Sequence, residues 1–83
     1  MRIIEIRRFL DFFIVYVNTP EDIAKLKKDK RFSVYAIYEF ANKLQGYEFS
    51  FHTKAKTLKG AKQFVINVLG KDALTKEDED SEL

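Results

Sequence analysis

The chain has no cysteine and no tryptophan, one proline, one histidine and three glycines. Each scarcity removes a class of explanation. Without cysteine there is no disulfide framework and no thiolate metal site. His52 is the only imidazole, so a zinc site built from nitrogen and sulfur, which takes three or four ligands, is excluded. The glycines at 46, 60 and 70 are too scattered for a phosphate-cradling loop or a nucleophile elbow. Long apolar runs are also missing. The longest, Phe12 to Val17, falls far below the ~20 residues that span a bilayer. Residues 1–8 mix charges into the chain start, without the apolar stretch and small-residue cleavage site of a signal peptide. The expectation is a soluble, cytoplasmic protein with no membrane partner.

What is present suits one small domain. Eighty-three residues lie near the lower limit for a self-sustaining core. Hydrophobic residues make up 46% of the chain, which excludes global disorder, and eight Phe with four Tyr supply large apolar surfaces. The net charge of +2 conceals an asymmetry. Residues 71–83 hold two lysines against six acids (net −4), whereas residues 1–70 carry +6. The sequence therefore predicts a basic domain over 1–70 and a flexible acidic tail over 71–83.

Two stretches, Phe32 to Phe40 and Tyr47 to Thr53, alternate with the period of half-buried strands. With Asn42-Lys43 as a two-residue turn, Tyr38 faces Tyr47, Ala36 faces Phe49 and Val34 faces Phe51. One face then reads Phe32, Val34, Ala36, Tyr38, Tyr47, Phe49 and Phe51. The other reads Ser33, Tyr35, Ile37, Glu39, Glu48, Ser50 and His52. Thr57 caps a helix whose apolar positions run from Leu58 to Leu69, and Gly70 ends it. Gly60 costs that helix up to ~1 kcal/mol against alanine. A shorter helix starts with Thr19 as cap and Pro20 in the first position, and runs to about Lys28 with Ile23, Ala24 and Leu26 inward. Residues 2–18 satisfy two patterns, a helix with Ile3, Ile6, Leu10, Phe13 and Val17 in a stripe, or a hairpin. The hairpin is favoured, turning at Leu10-Asp11 with Ile4, Ile6, Phe13, Val15 and Val17 on one face. The fold class is then α+β, ββαββα, a four-stranded antiparallel sheet with two helices packed on one face.

Little here does chemistry. Ser33 and Ser50 neighbour His52 across the strands but lack an oxyanion-type turn. Glu39 and Glu48, read as sharing a face near the hairpin end, have no cleft to separate their pKa values. No catalytic residue, metal ligand or cofactor site is assigned, and a non-enzymatic binding protein is expected.

Two features point to binding. Lys54, Lys56, Lys59 and Lys62 crowd the start of the last helix, where free backbone N–H groups also attract phosphate. Lys25, Lys27, Lys28, Lys30 and Arg31 form a second basic run, of which Lys27, Lys28, Lys30 and Arg31 are the candidate contacts; ordinary solvated lysine is the plain alternative for both. The segment Leu58-Lys59-Gly60-Ala61-Lys62 is similar to the Lys-Lys-x-Ala-Lys opening of the last helix in double-stranded-RNA-binding domains, a likeness that implies lysines gripping phosphates. It covers five residues, and Leu58 stands where that family has its first lysine. The second feature is the sheet face turned away from the helices, carrying Phe9, Phe12, Ile14, Tyr16, Tyr35 and Ile37. It is open to three readings: cover by the chain itself or by a twin subunit in a homodimer, docking of a partner protein, or stacking of unpaired bases beside Arg7. Glu5, Glu39 and Glu48 on that face weigh against nucleic acid. The leading expectation is contact with nucleic acid or a nucleoprotein through the basic surface. The alternative is an inhibitor or adaptor docking its aromatic face on a protein. In size and in lacking catalytic groups, the chain resembles the small accessory proteins of phages and mobile elements, anti-restriction and anti-CRISPR inhibitors among them.

Overall fold

Two hairpins, each followed by a helix, give the order β1 (Ile4–Phe9), β2 (Phe12–Val17), α1 (Pro20–Lys28), β3 (Phe32–Phe40), β4 (Lys43–Phe51) and α2 (Leu58–Leu69), with a closing 3-10 turn at Lys71–Ala73. The computed structural model describes residues 1–41 and 43–73. The sheet is antiparallel throughout, in the order β1-β2-β4-β3. Since β4 runs opposite to both β2 and β3, the β2–α1–β3 segment crosses between parallel strands, and β4 fills the gap left between them.

The first hairpin closes at Leu10-Asp11, with Phe9 opposite Phe12 and Ile4 opposite Val17. Both helices begin at their threonines. Thr19 Oγ1 accepts the Asp22 N–H, and Thr57 Oγ1 accepts the Gly60 N–H. Helix α2 ends where Gly70 adopts φ 109, a conformation open to glycine. Both helices pack on one sheet face. Ile23 and Leu26 from α1, with Ala61, Val65 and Leu69 from α2, cover Ile4, Phe13, Val15, Val17, Phe32, Phe49 and Phe51. Phe51 is the hub of this core, its ring 4.9 Å from Phe32, 5.5 Å from Phe64 and 5.7 Å from Phe13.

Gly60, unfavourable for a helix on propensity alone, has a packing reason. A Cβ there would stand 2.2 Å from the Ala55 Cβ, so the β4–α2 connection seats itself against the first turn of α2 only because the side chain is missing.

Four expectations are corrected. The second hairpin pairs Phe40 with Lys43 and Val34 with Phe49, so its register differs from a turn at Asn42-Lys43 by two positions in the partner number at its ends and by one from Ala36 to Tyr38. Irregularities between Val34 and Ala36, and between Tyr38 and Glu39, then switch the alternation midway. Strict period-2 reading therefore holds up to Val34 and inverts beyond it. In α1, Asp22 rather than Ala24 turns inward. Asp22 is 1% exposed and accepts both an Arg2 Nε–H and an Arg2 Nη–H at 2.8 Å, as well as the Thr19 hydroxyl at 2.9 Å. Finally, the ordered domain extends past 70. Ala73 is 3% exposed and belongs to the core, and Arg2 reaches Asp72. The rest of the expected tail, 74–83, lies outside the described residues.

Candidate functional site

Strand pairing brings the basic segments together. Phe9 lies opposite Phe12, Phe13 opposite Phe51, and Phe51 opposite Phe32. Hence the β1–β2 turn, the start of β3 and the end of β4 share one end of the sheet. The exit of α1 and the first turn of α2, which join to β3 and β4, lie at that same end. Arg8, the run Lys28, Lys30 and Arg31, and the run Lys54, Lys56 and Lys59 come from three separate segments of chain and gather there. No ion pair among the described residues involves Lys28, Lys30, Lys54, Lys56 or Lys59. The acids on these turns are Asp11 and Asp29, and Asp29 is already held by Arg31 at 2.6 Å. That contact keeps the Asp29 carboxyl below its ordinary pKa, with hydrogen bonds from Arg31 as the main cause.

The remaining predicted cations have internal work. Lys27 Nζ lies 4.6 Å from the Tyr47 ring centre, and the Arg31 guanidinium lies 4.6 Å over Phe64. Lys62, in the second turn of α2, is half-buried.

A cavity of about 430 Å³ opens between the β1–β2 turn and the β4–α2 connection. Arg8, Lys54 and Lys56 line it together with Asp11, and Leu10, Phe12 and Ala55 contribute apolar wall. Arg8 fixes its shape, donating from Nη2 to the Lys56 carbonyl while its guanidinium packs 5.3 Å over Phe13. Leu10 has φ 57, where glycine is favoured, and is 82% exposed.

On the sheet face away from the helices, four rings form a chain. Phe9 and Phe12 are 5.3 Å apart, both lie about 6 Å from Tyr35, and Phe12 is 6.0 Å from His52. Phe12 thus belongs to both the cavity wall and this cluster. Two residues expected to be exposed on this face are not available. Ile14 is 2% exposed, enclosed in the ladder between Arg7 and Ser50. Ile37 sits opposite Tyr47, a core-side residue, because the irregularity at Tyr35 moves it to the helix side. Tyr38 takes the vacated place, edge-on to Tyr16 at 6.0 Å. Tyr16, half-buried, donates to the Gln45 carbonyl and lies over Gly46, where a Cβ would stand 2.5 Å from its hydroxyl.

Glu48 is the polar feature that sequence reasoning missed. Expected as solvated, it is 4% exposed, with Arg7 Nη2 at 2.5 Å and the Tyr38 hydroxyl donating to it at 2.8 Å. That hydrogen bond, with burial second, holds the Tyr38 phenol above its ordinary pKa. Glu39, read as its face-mate, pairs instead with Leu44 after the second irregularity. His52 is exposed, and the described residues hold no group of three or more His, Asp or Glu able to bind a metal. No helix among them is long and apolar enough to cross a membrane.

Comparison with protein-family models, with curated proteins and with solved structures finds no match to this chain.

Proposed function

We propose that this is a non-enzymatic nucleic-acid-binding protein, or a binder of nucleoprotein, that holds the phosphate backbone with the basic end of its sheet. One observation carries the reading: three segments distant in sequence converge there, and their lysines have no acidic partner among the described residues. Solvated lysines that serve only solubility have no need of a common end. Contacts of this kind position a backbone and read little sequence.

The test is duplex DNA binding against salt. Affinity should fall by roughly 0.9 log units per log unit of salt for each phosphate neutralised. Lys54→Glu with Lys59→Glu should weaken binding on all sequences alike and lower that slope by about two. Binding that ignores salt, or that survives this double reversal, would remove the proposal.

A second reading, docking on another protein as a small phage-type inhibitor or adaptor would, is favoured by a different observation. Edge strand β3 and the adjoining tip expose Val34, Ile37, Phe40 and Leu44, which the basic end leaves unexplained. Phe40→Ser with Ile37→Ser should abolish that mode and spare the salt-dependent one.

A further inference from the structure

A cation-rimmed cavity and an aromatic cluster that share one ring suit a particular form of nucleic acid. At about 430 Å³ the cavity is of the size that holds one small organic ligand. Its three cations call for an anion, its Leu10, Phe12 and Ala55 wall calls for a flat apolar group, and Asp11 offers an acceptor in no ion pair among the described residues. A phosphorylated nucleotide unites phosphate, planar base and amino or hydroxyl donors in one body.

Leu10 strengthens the case. A two-residue hairpin turn with positive φ at its first position favours glycine, and an 82% exposed leucine gains nothing from burial. Neither the turn nor the core explains this residue, whereas an apolar lip on a base-sized cavity does. Next to the lip, Phe9, Phe12, Tyr35 and His52 present rings at spacings of 5.3–6.1 Å, continuing the surface on which bases would lie. The acids on this face oppose a strand less than their number suggests. Glu48 is buried and neutralised by Arg7, and Glu39, two residues on from Ile37 in the same strand, leaves the face with it through the extra residue at Tyr35.

We infer that the basic end prefers unpaired strands, the cavity taking one nucleotide with its phosphate on Arg8, Lys54 and Lys56 and the ring cluster stacking the bases beside it. This rests on the nucleic-acid reading above. A duplex keeps its bases inside its own stack, so it meets the lysines and not the rings.

The experiment compares a fluorescent 12-nucleotide single strand, as DNA and as RNA, with the corresponding duplex on the full chain. The decisive variant is Leu10→Gly, because glycine suits the turn and the fold should hold or gain stability. Its thermal midpoint should stay level or rise, its single-strand affinity should drop by about tenfold, and its duplex affinity should change less than twofold. Phe9→Ala should act in the same direction. Equal parent affinity for the two forms, or an unchanged single-strand affinity in Leu10→Gly, overturns the inference and leaves the backbone reading standing. If neither form binds, the backbone reading fails. Titration with adenosine monophosphate, followed through the amides of Asp11, Ala55 and Lys56, then decides the cavity alone. Shifts there retain it as a nucleotide site, and their absence overturns it.

Discussion

At the scale of single residues, the charges divide into those the fold uses and those it leaves outside. Asp22 belongs to the first group. Burial pushes its carboxyl up, but hydrogen bonds from Arg2 and Thr19 outweigh burial and bring it below its ordinary pKa. Arg2 also touches the Asp72 carbonyl and carboxylate, so one guanidinium ties the chain start, the first turn of α1 and the closing 3-10 turn. A carboxyl depressed in the folded state stabilises fully above its unfolded pKa of ~4, and the benefit is lost as pH falls through the lower folded value. Asp22→Asn should therefore cost about 2–4 kcal/mol at pH 7 in urea unfolding, and the gap to the parent should narrow steadily as pH falls below the ordinary carboxylate range. A gap independent of pH would show that the ion pair is not its source. Thr19 and Pro20 announced this helix start in the sequence. The Arg2 partner did not, because a contact across twenty residues leaves no local periodicity.

Elements behave likewise. Both helices were legible because caps, apolar spacing and, for α2, a terminating glycine agree at their boundaries, whereas the β1–β2 hairpin was the favoured of two patterns and its Leu10-Asp11 turn carries no glycine. The β3–β4 register was not. One irregularity shifts the pairing at Tyr35, a second follows Tyr38, and the sequence marks neither with a glycine or proline on β3. Each extra residue inverts the alternation, which is why Ile37 and Tyr38 exchanged faces. For α2, propensity and packing make opposite forecasts at Gly60. Helix propensity alone has Gly60→Ala stabilising by about 1 kcal/mol. The 2.2 Å approach to Ala55 has it destabilising by about 1–3 kcal/mol, since neither Cβ is the end of a flexible side chain. Urea unfolding of this variant reads the sign directly, and a stabilised protein would mean the β4–α2 connection is not seated where described.

For the molecule as a whole, composition revealed the basic excess and topology its location. No single-sequence pattern places residues 8, 30 and 54 together; that takes the order β1-β2-β4-β3. Because Ala73 is part of the core, a truncation meant to test the acidic residues should end after it, not at 70. Removing 74–83 deletes Lys76 with five acids and raises the net charge from +2 to +6. Duplex affinity at low salt should rise several-fold, and the thermal midpoint should stay within a few degrees. An unchanged affinity would exclude screening of the lysines by those acids.

At the far end of the sheet Arg2 is paired with Asp22 and Asp72, and Lys25 with Glu21, while Lys43 and Lys71 stand there as two exposed lysines outside any ion pair among the described residues. A nine-residue strand separates the two ends by about 30 Å, several times the ~8 Å reach of a charge in physiological salt. Among the described residues the unpaired cations are denser at the first end, so a polyanion approaching from solution would feel that pole more strongly. The protein would be turned to face it before they touch, so arrival becomes a question of orientation settled in advance, and the cost of removing that pole falls on the speed of capture first.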